Sequence, residues 1–193
     1  MTNRVAARAA VWMRIRWDNP KKGRVLNPVT LPPHHPITLL PYYFFIMRKI
    51  NYIVVHCSAT REDCPFSVEA LRAEHLRRGF RDIGYHYYIR RDGTVANTRP
   101  ITLVGAHVKG MNAHSIGICY EGGLDAQGNP KDTRTPEQRS VLRLLVHQLL
   151  RRFRGDVRVC GHRDLSPDLN GDGVVEPAEW MKECPCFEVS REL

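Results

Sequence analysis

Short apolar runs alternate with longer amphipathic segments from about residue 47 to the end of the chain. The first run, YIVVHC at residues 52–57, is continuously apolar and predicts a buried strand. The runs HSIGICYEG at 114–122 and DVRVCGH at 156–162 predict two more strands. Between them, GYHYYIRRDGTVANT at 84–98 predicts a hairpin, because an Asp-Gly pair separates two β-rich flanks.

Two segments carry the helical repeat. In SVEALRAEHLRRGF, residues 67–80, Ser67 is the candidate N-cap. In TPEQRSVLRLLVHQLLRRF, residues 135–153, Thr135 and Gln138 predict a capping box at the start of the clearest helix. The positions predicted to face the core are Val68, Leu71, His75, Leu76, Leu142, Leu145, Val146 and Leu149. Strands and helices interleave, which predicts an α/β fold, a central mixed β-sheet flanked by helices in a single catalytic domain.

Residues 1–46 show neither the helical nor the strand periodicity of apolar positions. They contain NPKKGRVLNPVTLPPHHP, which is proline-rich and loop-like, and Met47 then opens MRKINYIVVHCSAT. We therefore expect 1–46 to be a flexible extension with Met47 as the natural start, and 47–193 to be the folded domain. The alternative is a genuine N-terminal arm. The apolar run ITLLPYYFFIM at 37–47 is too short to span a membrane, contains a proline and makes a poor signal peptide.

The formal net charge of +9 is concentrated in this extension. Residues 1–46 contain seven Lys or Arg and one Asp, so residues 47–193 carry only +3. A charge this small is no basis for expecting a nucleic-acid partner. We also expect no stable membrane insertion, and a monomer.

The six cysteines are too sparse for a disulfide-dense scaffold, and a domain of this length needs no such crosslinks. Together with well-placed histidines they favour metal ligation by at least one thiol. They are Cys57, Cys64, Cys119, Cys160, Cys184 and Cys186.

Two histidines and one cysteine are placed where they could share a metal ion. His56 ends the first strand and His162 follows the last one, at the kind of sheet edge where active-site side chains collect. Cys184 arrives on a later segment and would add one thiolate. Three protein ligands with one open position are typical of catalytic zinc, whereas structural sites are closed by four. The spacing by itself is weak evidence, and Cys186 is a rival to Cys184 within CPC.

Six sequence blocks occur in one order, namely VVHCSAT, IGYHYYIRRDGTV, VGAHVKGMNAHSIGICYEGG, TPEQ, GHRDLSP and KECPCF. Together they resemble the zinc-dependent N-acetylmuramoyl-L-alanine amidases of the phage-lysozyme type, within the wider amidase and peptidoglycan-recognition protein fold. The resemblance covers about residues 50–190. It implies a hydrolase that cleaves the amide bond between N-acetylmuramic acid and the L-alanine of the peptidoglycan stem peptide.

The resemblance also implies roles for individual residues. By matching position these are the zinc ligands His56, His162 and Cys184, the catalytic residues Tyr85 and Lys182, and the substrate-binding residues His107 and Asn112. Lys182 would stabilise the oxyanion, and Tyr85 would hydrogen-bond the attacking water or the oxyanion. The ordinary alternatives are a solvated surface lysine and a core tyrosine. A fourth protein ligand at His107 would close the zinc site.

Between SP and the candidate cysteine ligand the chain carries DLNGDGVVEPAE, residues 168–179, which matches a 12-residue calcium loop. The matching ligands are Asp168, Asn170, Asp172, Val174 through its carbonyl, and Glu179. The sequence thus predicts Ca²⁺ beside Zn²⁺, with a structural role that would bring Lys182 and Cys184 to the zinc. The alternative is an Asx-rich turn without an ion, since no clear helix enters the loop.

Two further function classes stay open at this point. A peptidoglycan-recognition protein would bind muropeptides without cutting them, although non-catalytic relatives typically lack the cysteine ligand. Some amidases of this type also bind an RNA polymerase, which no residue here tests. We expect synthesis in the cytoplasm without a clear signal peptide and action on the cell wall after release, as for a prophage endolysin or a secreted effector.

Overall fold

A computed structural model of the protein describes residues 48–153 and 155–193. The predicted extension at 1–46 and the proposed start at Met47 lie outside the described residues, so both stay predictions. None of the helices that are described combines the length and apolarity needed to cross a membrane.

Five strands form a mixed central sheet. They are β1 (Tyr52–Cys57), β3 (Tyr87–Ile89), β4 (Val95–Asn97), β5 (Ser115–Tyr120) and β7 (Arg158–Gly161). Their order is β4-β3-β5-β1-β7, with β1 parallel to both β5 and β7, β3 parallel to β5, and β4 antiparallel to β3. Two short strands, β2 (Thr60–Arg61) and β6 (Gly123–Leu124), pair in parallel beside it. The predicted mixed sheet and the predicted hairpin are confirmed.

The helices are α1 (Val68–Arg77), α2 (Pro136–Arg152) and the short α3 (Val189–Glu192). Single 3-10 turns cover Asn112–His114, Arg163–Leu165 and Pro177–Glu179. The predicted N-cap of α1 is confirmed, because Oγ of Ser67 accepts the backbone N–H of Ala70 at 3.2 Å. The helix ends at Arg77, and Gly79 follows it with a φ of +84°, a conformation that favours glycine.

The capping box at the start of α2 also attaches the helix to the sheet. Oγ1 of Thr135 accepts the N–H of Gln138 at 3.1 Å, and Oε1 of Gln138 accepts the N–H of Thr135 at 3.1 Å. The side-chain Nε2 of Gln138 then donates to the backbone carbonyl oxygens of Ile89 at 3.1 Å and Glu121 at 3.0 Å. This buried glutamine thus fixes the start of α2 against the ends of β3 and β5.

Side-chain alternation along β1 divides the core into two faces. Ile53 and Val55 pack in the same cluster as Leu142 and the other predicted core positions of α2. Burying one leucine such as Leu142 contributes about 1.5–3 kcal/mol. On the opposite face α1 packs Leu71 against the sheet. One expectation about α1 is wrong: Leu76 is 45% exposed, whereas its neighbour His75 is 3% exposed, so the buried face of α1 includes Leu71 and His75 but not Leu76.

Candidate active site

The carboxyl ends of β1 and β7 bring two histidines together. His56 is the fifth residue of β1, and His162 directly follows β7, which is the parallel neighbour of β1. The N–H of His162 donates to the carbonyl oxygen of Val55 at 3.1 Å, which keeps the chain beside β1 after the strand ends. As a result the two imidazole rings lie 4.7 Å apart between centroids. The predicted meeting of these residues at one sheet edge is observed.

Cys184 reaches the same point from the segment that follows the candidate calcium loop at residues 168–179. The N–H of Arg163 donates to the carbonyl oxygen of Cys184 at 2.8 Å, and the N–H of Cys57 donates to its Sγ at 3.3 Å. These bonds place Sγ 3.8 Å from Nδ1 of His56. One ligand atom from each of His56, His162 and Cys184 lies within 4.8 Å of the other two.

The protonation of the two histidines suits metal binding. Burial, followed by the charges of His107, His162 and Lys182, lowers the pKa of His56 well below its ordinary value. Burial and the Lys182 charge lower the pKa of His162 to about 4. Both imidazoles are therefore neutral near pH 7, the form that offers a lone pair. Two imidazoles and one thiol sulfur form a donor set that suits zinc, and three donors leave one position open.

The rival cysteine lies outside this group. Sγ of Cys186 donates to the carbonyl oxygen of Gly123 at 3.3 Å and is 3.9 Å from Sγ of Cys57. Cys57 follows His56 in β1 and is buried on the opposite face of the sheet, as expected from strand alternation. The choice of Cys184 over Cys186 therefore agrees with the geometry. All six cysteines have free thiols.

Tyr85 lies beside the three potential ligands. Its ring centroid is 5.1 Å from that of His56 and 5.3 Å from that of His75. Burial is the main cause that raises the pKa of Tyr85 well above its ordinary value, with a further contribution from Cys119. The phenol therefore keeps its proton and acts as a hydrogen-bond donor near pH 7.

Lys182 approaches from the exposed side. It precedes Cys184 by two residues and is itself exposed. Its positive charge contributes to the lowered pKa values of both His56 and His162, so the ammonium group lies within electrostatic range of both rings. A cation here can interact with negative charge that develops at the site.

The two predicted substrate-binding residues contact each other. Oδ1 of Asn112 accepts the backbone N–H groups of His107 at 2.8 Å and Val108 at 3.0 Å. Nδ1 of His107 lies 3.0 Å from Nε2 of His56. Burial, followed by the charge of His86, lowers the pKa of His107 to about 3, so this ring is also neutral. A substrate contact for either residue stays a prediction.

A profile of the N-acetylmuramoyl-L-alanine amidase family matches residues 47–186, which include all the residues of this site. The chain belongs to the N-acetylmuramoyl-L-alanine amidase family. The amidase is 40% identical to the endolysin of Klebsiella phage KP32 over 144 residues, which cover 75% of this chain and 85% of that protein. It is 28% identical to a peptidoglycan-recognition protein of Drosophila melanogaster over 132 residues, covering 66% and 71% of the two chains.

A solved structure agrees with this assignment. The N-acetylmuramoyl-L-alanine amidase LysC from Clostridium intestinale URNW superimposes with a TM-score of 0.56 and 28% sequence identity, covering 75% of this chain and 81% of that one. The predicted α/β fold with a mixed sheet and flanking helices is therefore confirmed, as is the predicted family.

An open cleft of about 520 Å³ adjoins the site of the amidase through Tyr85. One wall is Ser58, Ala59 and Thr60, which follow β1. The other wall is the carboxyl-terminal end of α1 and the residue that follows it, namely Glu74, His75, Arg77 and Arg78. Phe66 and Leu71 also line the cleft, which therefore places a mixed polar and apolar surface next to Tyr85.

The candidate calcium loop at residues 168–179 is closed by its own hydrogen bonds. Asp168 accepts the N–H groups of Gly171 at 2.7 Å and Gly173 at 2.8 Å. Glu179 is buried and accepts the N–H of Leu169 at 2.7 Å and of Asn170 at 3.1 Å. The carboxylates thus satisfy loop amides, as in the Asx-rich turn that was the alternative. Calcium has no support from these contacts and stays a prediction.

Three residues around His107 were not predicted from the sequence. Ser115 is fully buried and its Oγ lies 3.2 Å from Nε2 of His107. Gly105 and Gly117 lie against the His107 ring, each so closely that a Cβ atom would meet it at less than 3 Å. No spacing or composition marks these residues, since only the folded chain brings them together.

Proposed function

We propose that this amidase hydrolyses the bond between N-acetylmuramic acid and L-alanine with a zinc ion held by His56, His162 and Cys184. The observation that carries the proposal is the convergence of one atom from each of these residues within 4.8 Å. When bound, zinc supplies Lewis-acid activation of the attacking water and of the scissile carbonyl. The family membership supports the identity of the bond.

The residues around the ligands supply the remaining chemistry. Tyr85 keeps its proton because burial raises its pKa, so its O–H can orient the water or stabilise the oxyanion. The ammonium of Lys182 offsets the negative charge that forms on the carbonyl oxygen as the tetrahedral intermediate appears. The stem peptide would lie in the cleft between Ser58 and the end of α1, next to Tyr85.

Muropeptide binding without hydrolysis is the alternative function. The identity of 40% to a phage endolysin, against 28% to a recognition protein, favours the hydrolase. A sulfur ligand at Cys184 with Lys182 two residues away also favours it. Because several relatives are endolysins, we further propose that the amidase acts on the cell wall after release from the cell that makes it. The expectation of a monomer stays a prediction.

Digestion of purified peptidoglycan tests the proposal. The zinc-loaded protein is expected to release free stem peptides, detected by mass spectrometry, and a chelator or Cys184→Ser is expected to abolish the release. Cys64→Ser is the matched control, since Cys64 is an exposed free thiol outside the site. Release that persists in Cys184→Ser and after chelation would reject zinc catalysis. Absence of free stem peptides with the zinc-loaded protein would reject the amidase activity itself.

A further inference from the structure

His107 lies in the middle of a chain of polar contacts that ends on His56. Its Nδ1 is 3.0 Å from Nε2 of His56, and its Nε2 is 3.2 Å from Oγ of Ser115. Ser115, the first residue of β5, is fully buried. Both ring nitrogens of His107 therefore have partners inside the protein.

The candidate ligand His56 determines which group donates each hydrogen bond in this series of contacts. A neutral imidazole has one bare nitrogen and one N–H, and a metal binds the bare nitrogen. In His56 it is Nδ1 that lies 3.8 Å from Sγ of Cys184, whereas Nε2 faces His107. His56 must then carry its proton on Nε2, and this N–H donates a hydrogen bond to Nδ1 of His107. His107 in turn carries its proton on Nε2, and that N–H donates a hydrogen bond to Oγ of Ser115.

The fold holds the His107 ring in a narrow slot. A Cβ atom on Gly105 would lie 2.6 Å from Cδ2 of the ring, and one on Gly117 would lie 2.7 Å from the same atom. Asn112 fixes the backbone of His107, because its Oδ1 accepts a hydrogen bond from the backbone N–H of His107 at 2.8 Å. The position of the ring is thus set by its surroundings rather than by its bond to His56.

We infer that His107 is a positioning residue. It fixes the tautomer and the ring orientation of His56 by accepting a hydrogen bond from the Nε2–H group of His56. The inference rests on the proposed zinc site and adds to it a residue that does not touch the metal. Partners of this kind keep a ligand's lone pair aimed at the ion, and their loss typically weakens metal binding about 10- to 100-fold. The role differs from a substrate contact, because neither ring nitrogen of His107 is free.

Two replacements of similar size separate the hydrogen bond from the volume of the ring. His107→Asn keeps an acceptor, since Oδ1 of asparagine can take the place of Nδ1, whereas His107→Leu has none. In competition with a chromogenic chelator, His107→Leu is expected to bind zinc about 10- to 100-fold more weakly, and His107→Asn to regain most of that loss. His147→Leu is the control, because His147 is exposed on α2.

The visible spectrum of the cobalt-substituted protein gives a readout that does not depend on hydrolysis. It is expected to change in His107→Leu and to return towards the parent spectrum in His107→Asn. Equal zinc affinities of the parent, His107→Leu and His107→Asn would overturn the inference while leaving the zinc site intact. A parent protein that binds no zinc would overturn both the proposed function and the inference.

A measurement on the unaltered protein decides the question if His107→Leu does not fold. Nitrogen-15 spectra of the histidine rings in the zinc-loaded protein report which nitrogen carries each proton. The expected result is a proton on Nε2 of both His56 and His107. A proton on Nδ1 of His107 would overturn the inference, because that nitrogen could then not accept from His56.

Discussion

The phenol of Tyr120 donates a hydrogen bond to the carbonyl oxygen of Pro185 across 2.6 Å in the interior of the amidase. Tyr120 is the last residue of β5, and Pro185 directly follows the candidate ligand Cys184. This bond connects the segment that carries Lys182 and Cys184 to the sheet that carries His56. A contact made in the core on the other side of the sheet thus helps to hold the third candidate ligand.

Removal of this hydroxyl should loosen the third ligand. Tyr120→Phe leaves the carbonyl oxygen of Pro185 without its partner in a buried position, which costs about 1–3 kcal/mol. We expect a loss of that size in urea denaturation and a weaker zinc affinity. Tyr87→Phe is the control, because Tyr87 is a half-buried tyrosine of β3. Unchanged stability and zinc affinity in Tyr120→Phe would show that the segment is held by other contacts.

The proposed catalytic pair should affect turnover without affecting metal binding. Removing one donor from a developing oxyanion typically lowers the rate by about 10²- to 10³-fold, so we expect Tyr85→Phe and Lys182→Ala to retain zinc and lose most activity. Initial rates on muropeptides and the zinc content of each variant provide the measurement. Lys109→Ala, at an exposed lysine, is the control. Near-parental rates in either variant would remove that residue from the mechanism.

The buried His86 predicts acid sensitivity of the metal-free protein. Burial lowers the pKa of His86 to about 4, and its Nδ1 accepts the N–H of Gly117 at 3.0 Å. The unfolded chain binds this proton near pH 6.5 and the folded chain only near pH 4, so the contribution is complete above pH 6.5 and is lost as the pH falls. The free energy of unfolding should drop by about 3 kcal/mol from this group alone between pH 7 and 4.

Urea denaturation across this pH range, with the metal removed, measures the effect. His86→Asn keeps an acceptor for Gly117 but cannot take up the proton, so its stability should fall less steeply on acidification. His147→Asn, at an exposed histidine, should follow the parent. A slope in His86→Asn that equals the parental slope would mean that His86 does not titrate in the predicted way.

Calcium binding by residues 168–179 can be tested by thermal unfolding. If the loop binds calcium, millimolar Ca²⁺ should raise the melting temperature, because a ligand that binds only the folded state stabilises it. The increase should be absent in Asp172→Ala and with Mg²⁺ in place of Ca²⁺. An unchanged melting temperature in the parent would leave the hydrogen-bonded turn as the description of this loop.

Strong local patterns made much of the fold predictable. Thr135 and Gln138 specify the start of α2 through bonds that are local in sequence, and the Asp-Gly pair specifies the hairpin between β3 and β4. The prediction for Leu76 was wrong because helical spacing indicates the apolar side of α1 but not how wide the buried face is, which includes His75 and excludes Leu76. Local chemistry therefore predicts elements better than it predicts where they pack.

Some features of the candidate site were likewise predictable from the sequence and others were not. The convergence of the candidate zinc ligands was predicted because His56 and His162 stand at the ends of parallel strands, and because KECPCF is one of the blocks that resemble a known family. The pairing of His107 with Ser115 was not predicted, since the two residues are eight positions apart and no regular period connects them. The calcium site stays a prediction from a local sequence match, since the loop contacts are hydrogen bonds from its own amides.

The sequence by itself determined the main strands and helices and their order, the amidase family and the three candidate metal ligands. Each of these depends on residues that are close in the chain or on whole blocks that recur within a family. Only the tertiary structure decided that Nδ1 of His56 faces Cys184 and that Nε2 faces His107. The physical reason is that the tautomer of an imidazole depends on which groups surround both of its nitrogens, and those groups come from segments far apart in the chain.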